Sequence, residues 1–194
     1  MPELPEAEVA ARQLRERVVG ATVRDCWIGR EDIVREGLPS LDQYRQAKIA
    51  GVERKGKSVI LHFLCGKEPR FLVAELGMTG LLLFRSTLTK HPQHTHFILH
   101  LDGCCEPDIR YWNPRRFGRL SLLDRAGLDR YVARRFGHDP LTISHEQFLR
   151  VLRATRSRLK SLLMHQQVIA GIGNIYANEI LFRSRLHPNQ PSNS

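Results

Sequence analysis

The sequence opens Met1-Pro2-Glu3-Leu4-Pro5-Glu6. With Met1 removed, Pro2 holds a free secondary amine, a group that attacks electrophilic carbon such as a sugar C1′ and forms an iminium. Glu3 beside it is a carboxylic acid able to protonate the sugar ring oxygen as the bond breaks. The same residues also make an ordinary helix start, with proline in the first turn and acids on the positive end of the dipole. Taken alone they favour that plainer reading.

Three further segments and a histidine series carry chemistry. Arg54-Lys55-Gly56-Lys57-Ser58 reads as a charged turn between strands, either a solvated hairpin tip or a stiff arm that delivers Lys57 to a phosphate or an intermediate. Arg110-Tyr111-Trp112-Asn113-Pro114-Arg115-Arg116-Phe117-Gly118 sets two arginines beside an aromatic on a loop stiffened by Pro and ended by Gly. An Arg and a Phe so held can enter a duplex and fill the space of an extruded base. Gly171-Ile172-Gly173-Asn174 forms a tight loop feeding a helix that Asn174 caps, and the open amides of such a helix start suit a phosphate. His91, His94, His96 and His100 admit a zinc reading, because His94, His96 and His100 share a strand parity and would face one side. No acid or cysteine stands at a fitting spacing, so phosphate contact or local hydrogen bonding is expected, and no metal.

The partners follow from composition. Lys and Arg number 30 against 20 Asp and Glu, a net charge of +10, and a surplus of that size favours a polyanion through counterion release. No apolar run reaches membrane-spanning length, and the acidic N-terminus is no secretory signal. The four cysteines, Cys26, Cys65, Cys104 and Cys105, show no C-x-x-C spacing and read as reduced thiols. The expected address is the cytoplasm, in association with the nucleoid.

These residues need elements to hold them. Residues 5–17 read as a helix with an apolar stripe of Ala7, Ala10, Leu14 and Val18, ended by Gly20. From Thr22 to about Leu123 short apolar or alternating runs, such as Ser58–Leu64, Phe71–Leu76, Leu81–Phe84, Phe97–Leu101 and Ile109–Trp112, predict antiparallel strands in a sandwich or barrel. Beyond Asp139-Pro140 the period turns helical. Ser144 and Gln147 make a capping box, a short helix fits residues 158–164, and the tail His187–Ser194 is expected to be loose. The fold class is α+β: an N-terminal helix on an antiparallel β-sandwich over residues 1–130, then a small helical domain over 131–194.

Taken together and in this order, the elements resemble the formamidopyrimidine-DNA glycosylase and endonuclease VIII family over essentially the whole chain. PELPE at Pro2–Glu6, LGMTG at Leu76–Gly80, NPRRFG at Asn113–Gly118 and AGIGNIYANEILF at Ala170–Phe182 carry the resemblance. PELPE and the paired Arg-Arg-Phe are closer to the formamidopyrimidine branch. The resemblance implies that the helical domain is a helix–two-turn–helix module. It implies Pro2 as nucleophile, Glu3 as proton donor, Glu6 as a supporting acid and Lys57 as a hairpin lysine that contacts DNA and aids catalysis. Met78, Arg115 and Phe117 match the residues that fill the void of the flipped base, His94 and Asn174 match phosphate-binding positions, and Glu179 matches an acid near the lesion pocket.

Four departures accompany it. No four-cysteine zinc finger occurs before Ser194, so zinc is not expected in this chain, and His165, Gln167 and Glu75 stand where the family has Asp, Lys and His. The expected function is a bifunctional glycosylase and abasic-site lyase acting as a monomer on oxidised bases, especially purines, in damaged double-stranded DNA. The alternatives are a catalytically impaired damaged-DNA-binding protein on the same fold, a histidine-site metalloprotein, and an oxidised-pyrimidine preference of the endonuclease VIII kind.

Overall fold

The computed structural model describes residues 2–85 and 92–193. Met1, and with it the question of its removal, and His91 of the histidine series lie outside the described residues. The chain forms two compact units, Met1–Asp129 and Arg130–Ser194.

The first unit begins with helix α1 (Leu4–Val18), whose buried stripe is Leu4, Ala7, Ala11, Leu14 and Val18. Those residues recur every three or four positions, so one face meets the core and the rest carries charge. Nine strands follow among the described residues: β1 (Thr22–Ile28), β2 (Val34–Glu36), β3 (Lys48–Lys55), β4 (Ser58–Cys65), β5 (Glu68–Glu75), β6 (Leu81–Phe84), β7 (Thr95–Asp102), β8 (Asp108–Trp112) and β9 (Leu120–Leu123). They run in the order β2-β9-β5-β4-β3-β1-β7-β8-β6. The halves β2-β9-β5-β4-β3 and β1-β7-β8-β6 meet at the pair Thr22↔Lys48. Both halves and α1 contribute to one apolar core, with Leu14, Ile49, Leu61, Phe63, Leu72, Phe97, Leu99 and Tyr111 inside it. That is the sandwich the alternating runs predict, with one correction. The β2–β9 pair is parallel, Val34 opposite Leu120, and the long stretch between these strands provides the crossover that a parallel pair requires.

The second unit is helical. Helix α2 (Arg125–Arg135) leads into it, where the sequence pattern predicts none. Asp124 starts it: its side chain accepts from the Gly127 amide at 2.7 Å and its carbonyl from the Leu128 amide at 2.9 Å. Helix α3 (His145–Arg153) carries the expected capping box, with the Gln147 amide donating to Ser144 Oγ at 3.1 Å and the Ser144 amide to Gln147 Oε1 at 3.2 Å. Helices α4 (Leu159–Met164) and α5 (Asn174–Ser184) pack Leu159, Leu163, Ala177 and Leu181 with Ile169 and Ile172 of the linking loop.

The tail is not loose. The amides of Leu159 and Lys160 donate to the carbonyls of Gln190 and Pro188 at 3.0 and 3.2 Å, and Ser192 Oγ donates to the Thr155 carbonyl at 2.7 Å. The first turn of α4 leaves amides without intrahelical acceptors, and the tail supplies the carbonyls for two of them. No helix among the described residues is long and apolar enough to cross a membrane.

Candidate active site and nucleic-acid interface

Pro2 is buried immediately ahead of α1, and Glu3, the N-cap residue, is 1% exposed. The Glu3 amide donates to Glu6 Oε2 at 2.9 Å, and the Glu3 side chain accepts from the Glu6 amide to complete a capping box. The acid that could donate a proton is therefore fixed from both ends, with its carboxyl out of bulk water. Glu6 itself is exposed, and its observed role is to hold the backbone of Glu3.

Lys57 arrives on the two-residue turn between β3 and β4, where Lys55 pairs with Ser58. Gly56 occupies the first turn position at φ +56°, the left-handed conformation that favours glycine in a tight hairpin. Arg54 anchors this turn to α1. Its Nε donates to Glu8 Oε2 at 2.9 Å and its Nη1 to the Gly56 carbonyl at 3.2 Å, while Arg12 holds the other Glu8 oxygen at 3.0 Å. These arginines keep the Glu8 carboxyl below its usual range against the opposing effect of its burial. Burial lowers the Lys57 ammonium below the usual lysine range, and the Glu3 carboxylate counteracts this. Pro2, Glu3, Glu6 and Lys57 thus gather around one helix start, with a buried acid and a poorly solvated amine within electrostatic reach of each other.

A pH effect follows from Lys57. Its lowered pKa means it loses charge at lower pH than a solvated lysine would, and with the charge any hold on a phosphate. Arginine stays charged throughout, so Lys57→Arg should carry DNA affinity to higher pH than the wild type. Titrations of a duplex from neutral to alkaline pH measure this, and coincident alkaline limbs would remove Lys57 from the phosphate contact.

Met78, Arg115 and Phe117, which the resemblance implies fill the void of a flipped base, sit on two interlocked turns. In Leu76–Gly80 the Gly80 amide donates to the Leu76 carbonyl at 2.7 Å. Gly77 has φ +61°, and a Cβ there would stand 2.5 Å from the Gly118 amide nitrogen, so the backbones of the two turns touch. Asn113, fully buried, is the hub of the second turn. Its Nδ2 donates to the Tyr111 hydroxyl at 3.0 Å, and its Oδ1 accepts from the Arg116 amide at 3.0 Å and the Thr79 hydroxyl at 3.2 Å. The Tyr111 hydroxyl passes its own hydrogen to the Glu75 carbonyl at 2.6 Å. On this frame Met78 and Phe117 are exposed, Phe117 by 58%, and the Arg115 guanidinium lies 5.3 Å from the Phe117 ring centroid. Apolar and aromatic side chains held in water on a fully bonded frame can enter a base stack. The Glu75 carboxylate, at a departure position, pairs with Arg35 Nη1 at 2.7 Å.

The strand alternation expected of the histidines does not hold, since His94 lies in a short 3-10 turn (Pro92–His94) ahead of β7. The β7–β8 register is irregular between Thr95 and Phe97, and a bulge there breaks the alternation at His96 on which the expectation rests. His94 lies beside Trp112, ring centroids 6.1 Å apart. His96 is buried with Nε2 3.0 Å from the Asn113 carbonyl, which can only accept, so that nitrogen carries the hydrogen. Among the described residues no group of three or more His, Cys, Asp or Glu is gathered to hold a metal ion.

In the second unit Asn174 is the first residue of α5 and Gly173 is its N-cap, with no side-chain capping bond. This corrects the expectation that Asn174 caps the helix. Gly173 takes the extended N-cap conformation, and the Asn174 side chain is exposed beside the open amides. Glu179 is exposed on α5, with Arg183 Nε 3.9 Å away. His165 is the C-cap of α4, and Gln167 Nε2 donates to the Arg134 carbonyl at 2.8 Å.

Sequence reasoning missed Gln166. Its Nε2 donates to the carbonyls of Met164 and Ile172, both at 2.8 Å, and its Oε1 accepts from the Gly171 amide at 2.9 Å. One amide thereby shapes the loop ahead of α5. Gln166→Ala should cost roughly 1–3 kcal/mol in thermal or urea unfolding, since it leaves part-buried backbone groups unpaired. An unchanged midpoint would show that water replaces it at no cost.

The chain matches the formamidopyrimidine-DNA glycosylase N-terminal domain over residues 1–120 and the formamidopyrimidine-DNA glycosylase H2TH domain over residues 136–194. It is 38% identical to the formamidopyrimidine-DNA glycosylase of Thermomicrobium roseum, over 97% of this chain and 69% of that one. It is also 38% identical to that of Thermus thermophilus, over 100% of this chain and 68% of the relative. Among solved structures, the complex of the Lactococcus lactis enzyme with DNA containing an abasic site matches at TM-score 0.85 and 26% identity, covering 99% of this chain and 70% of that one. The Thermus thermophilus MutM protein matches at TM-score 0.82 and 35% identity, covering 99% and 68%. With its N-terminal helix, its sandwich-like sheet and its helical module all matched, the chain belongs to the formamidopyrimidine-DNA glycosylase family.

Proposed function

We propose that this chain is a DNA glycosylase of base excision repair that removes oxidised bases, formamidopyrimidines and 8-oxoguanine, from duplex DNA and then cuts the strand as an abasic-site lyase. The observation that carries this reading is the buried Pro2–Glu3 pair at the start of α1 with the Lys57 turn beside it. The relatives' names and the DNA held by the Lactococcus lactis protein support the substrate class.

In this reading Met1 is removed and the lone pair of the Pro2 nitrogen attacks C1′ of a nucleotide extruded from the stack. The glycosidic bond breaks and the base leaves with its electron pair, taking the proton that the Pro2 nitrogen sheds as it bonds to C1′. Glu3 donates a proton to O4′ as the ring opens, and the nitrogen, after losing its own proton, shares its lone pair with C1′ to form an iminium. The iminium acidifies C2′. Loss of a C2′ proton expels the 3′ phosphate, and water then releases the sugar fragment from Pro2. Lys57 holds a phosphate, while Met78, Arg115 and Phe117 occupy the vacated stack. His94 and Asn174 contact phosphates and Glu179 lies at the lesion pocket. The acting form is a monomer in the cytoplasm. Among the described residues no group of three or more His, Cys, Asp or Glu is gathered that could hold a finger's zinc.

Borohydride trapping tests the mechanism, because reduction of the iminium leaves a permanent bond between protein and DNA. The expected adduct has the mass of the chain without Met1 joined to the strand that carries the lesion. Base release without an adduct would overturn the proline mechanism, and binding with neither base release nor an adduct would favour a non-catalytic damage binder.

A further inference from the structure

The turn between β7 and β8 carries two adjacent cysteines, Cys104 and Cys105. It holds none of the catalytic or wedge residues, and the functional reading leaves both thiols unused. The Leu101 amide donates to the Pro107 carbonyl at 2.9 Å and closes the turn. Cys105 is exposed and Cys104 half-buried. Cys104 lies partly against the core, and its Sγ donates to the Glu106 carbonyl at 3.1 Å, which keeps the sulfur at the level of the turn. Gly103 has φ +80°, and no heavy atom stands within 4 Å of the place a Cβ would take there. The turn is therefore open beside the pair.

Two chemistries are open to neighbouring thiols, a disulfide and a bridge through a third atom. The described residues hold no cis peptide, and consecutive Cα atoms stand about 3.8 Å apart across a trans one. Unstrained disulfides span about 4.4–6.8 Å between Cα atoms, so direct closure of Cys104 on Cys105 is strained. A bridging atom lengthens the ring and relieves that strain. Zinc is poorly served, because it takes four ligands and no group of three or more His, Cys, Asp or Glu is gathered among the described residues. A trivalent arsenic that already carries one carbon substituent needs only two sulfurs. Its hydroxide form is neutral and accepts protonated thiols with loss of water. That suits this turn, where burial foremost, with Cys105, Glu106 and Asp102 acting in the same direction, holds the Cys104 thiol above its usual range.

We propose that Cys104 and Cys105 form a dithiol site for a monosubstituted trivalent arsenical, R–As(OH)2. The exposed Cys105 forms the first S–As bond, and one hydroxide leaves as water with the thiol hydrogen. Cys104 then gives up its bond to the Glu106 carbonyl, forms the second S–As bond and releases a second water. No electron is transferred, so arsenic stays trivalent and neither sulfur is oxidised. Cys26 takes no part, being buried with its thiol pushed up to about 12. Cys65 has no cysteine beside it in the chain and can supply one bond only. The inference is independent of the glycosylase reading.

Phenylarsine oxide, which hydrates to phenylarsonous acid, tests this on the full chain with its cysteines reduced. Intact mass should show one phenylarsenic group gained and two hydrogens lost, and peptide mapping should place it on Cys104 and Cys105. The second S–As bond closes within the molecule, so the wild-type adduct should need about 10²-fold more 2-mercaptoethanol for its removal than the adduct of Cys104→Ser or Cys105→Ser. Cys65→Ser should behave as the wild type does. Because Cys105 is exposed, Cys105→Ser decides the matter even if Cys104→Ser unfolds. Equal removal from the wild type and Cys105→Ser would overturn the proposal, as would mapping of the group to Cys26 or Cys65. A second measurement uses hydroxyethyl disulfide in place of the arsenical. The expected product is a mixed disulfide on Cys105. Loss of two hydrogens at Cys104 and Cys105 without added mass would mean that the pair closes on itself, and the preference for a bridging atom would fall.

Discussion

Glu3→Gln is expected to slow release of an oxidised base by ~10²–10⁴-fold, the range that general-acid help supplies, while fold and DNA affinity stay close to wild type. Glutamine matches glutamate in size, and its side-chain oxygen can still accept from the Glu6 amide, so the capping box survives. The Glu3 amide also keeps its bond to Glu6 Oε2. What disappears is a proton that can be given to the sugar oxygen. A second effect accompanies the first. The Glu3 carboxylate is the influence that holds the Lys57 pKa up against burial. Without it the Lys57 pKa falls further, and DNA affinity should decline at lower pH in Glu3→Gln than in the wild type. Single-turnover base release on an 8-oxoguanine duplex gives the first effect and a pH series of binding gives the second. Wild-type base release would mean that another group donates the proton. A slowed rate with an unmoved alkaline limb would mean that Glu3 and Lys57 act independently.

What the sequence could disclose about this site depends on how locally each residue is held. The helix start and its acids were legible because Glu3 and Glu6 bond to each other three residues apart. The β3–β4 turn was legible because Gly56 and its charged neighbours are contiguous. Arg54 and Glu8, which tie that turn to the helix, are 46 positions apart, and no spacing rule links them. Gln166 was hidden for a different reason. Its partners are backbone atoms, which leave no mark in residue types. The histidine parity failed because a bulge changes strand parity without requiring a particular residue. Helix α2 was missed although Asp124 three residues before Gly127 is a capping spacing, because a segment rich in arginine with Gly127 in its first turn shows little apolar periodicity. The tail misled because its polar composition describes side chains, whereas backbone carbonyls of Pro188 and Gln190 hold it to α4.

Gly118→Ala carries the other large expected effect, and it separates the wedge from the chemistry. A Cβ at position 118 would collide with the Tyr111 hydroxyl and the Glu75 carbonyl and stand 2.8 Å from Asn113 Nδ2. These are the atoms of the hydrogen-bond chain that runs from Asn113 through Tyr111 to Glu75. None is the far end of a flexible side chain that can swing clear, since Tyr111 and Asn113 are fully buried. Relief therefore requires the Asn113–Gly118 turn to lift from the Leu76–Gly80 turn beneath it. Overpacking of this kind costs about 1–3 kcal/mol, and the broken hydrogen bonds add roughly 1–3 kcal/mol for each buried group left unpaired. Unfolding should show a loss at the upper end of those figures. The functional signature is selective. Met78, Arg115 and Phe117 lose their common frame, so extrusion of a stacked lesion from duplex DNA should fail while Pro2 and Glu3 remain in place. Cleavage of a damaged duplex should fall sharply, whereas cleavage of a single-stranded abasic site, where no base need be displaced, should stay within a few-fold of wild type. Both rates are measured below the lowered unfolding temperature, with Phe117→Ala as the companion that removes a wedge residue and spares the frame. If Gly118→Ala lowers both activities equally while Phe117→Ala lowers only the duplex rate, the turn also supports the catalytic group. If neither variant distinguishes the two substrates, the exposed aromatic is not a wedge.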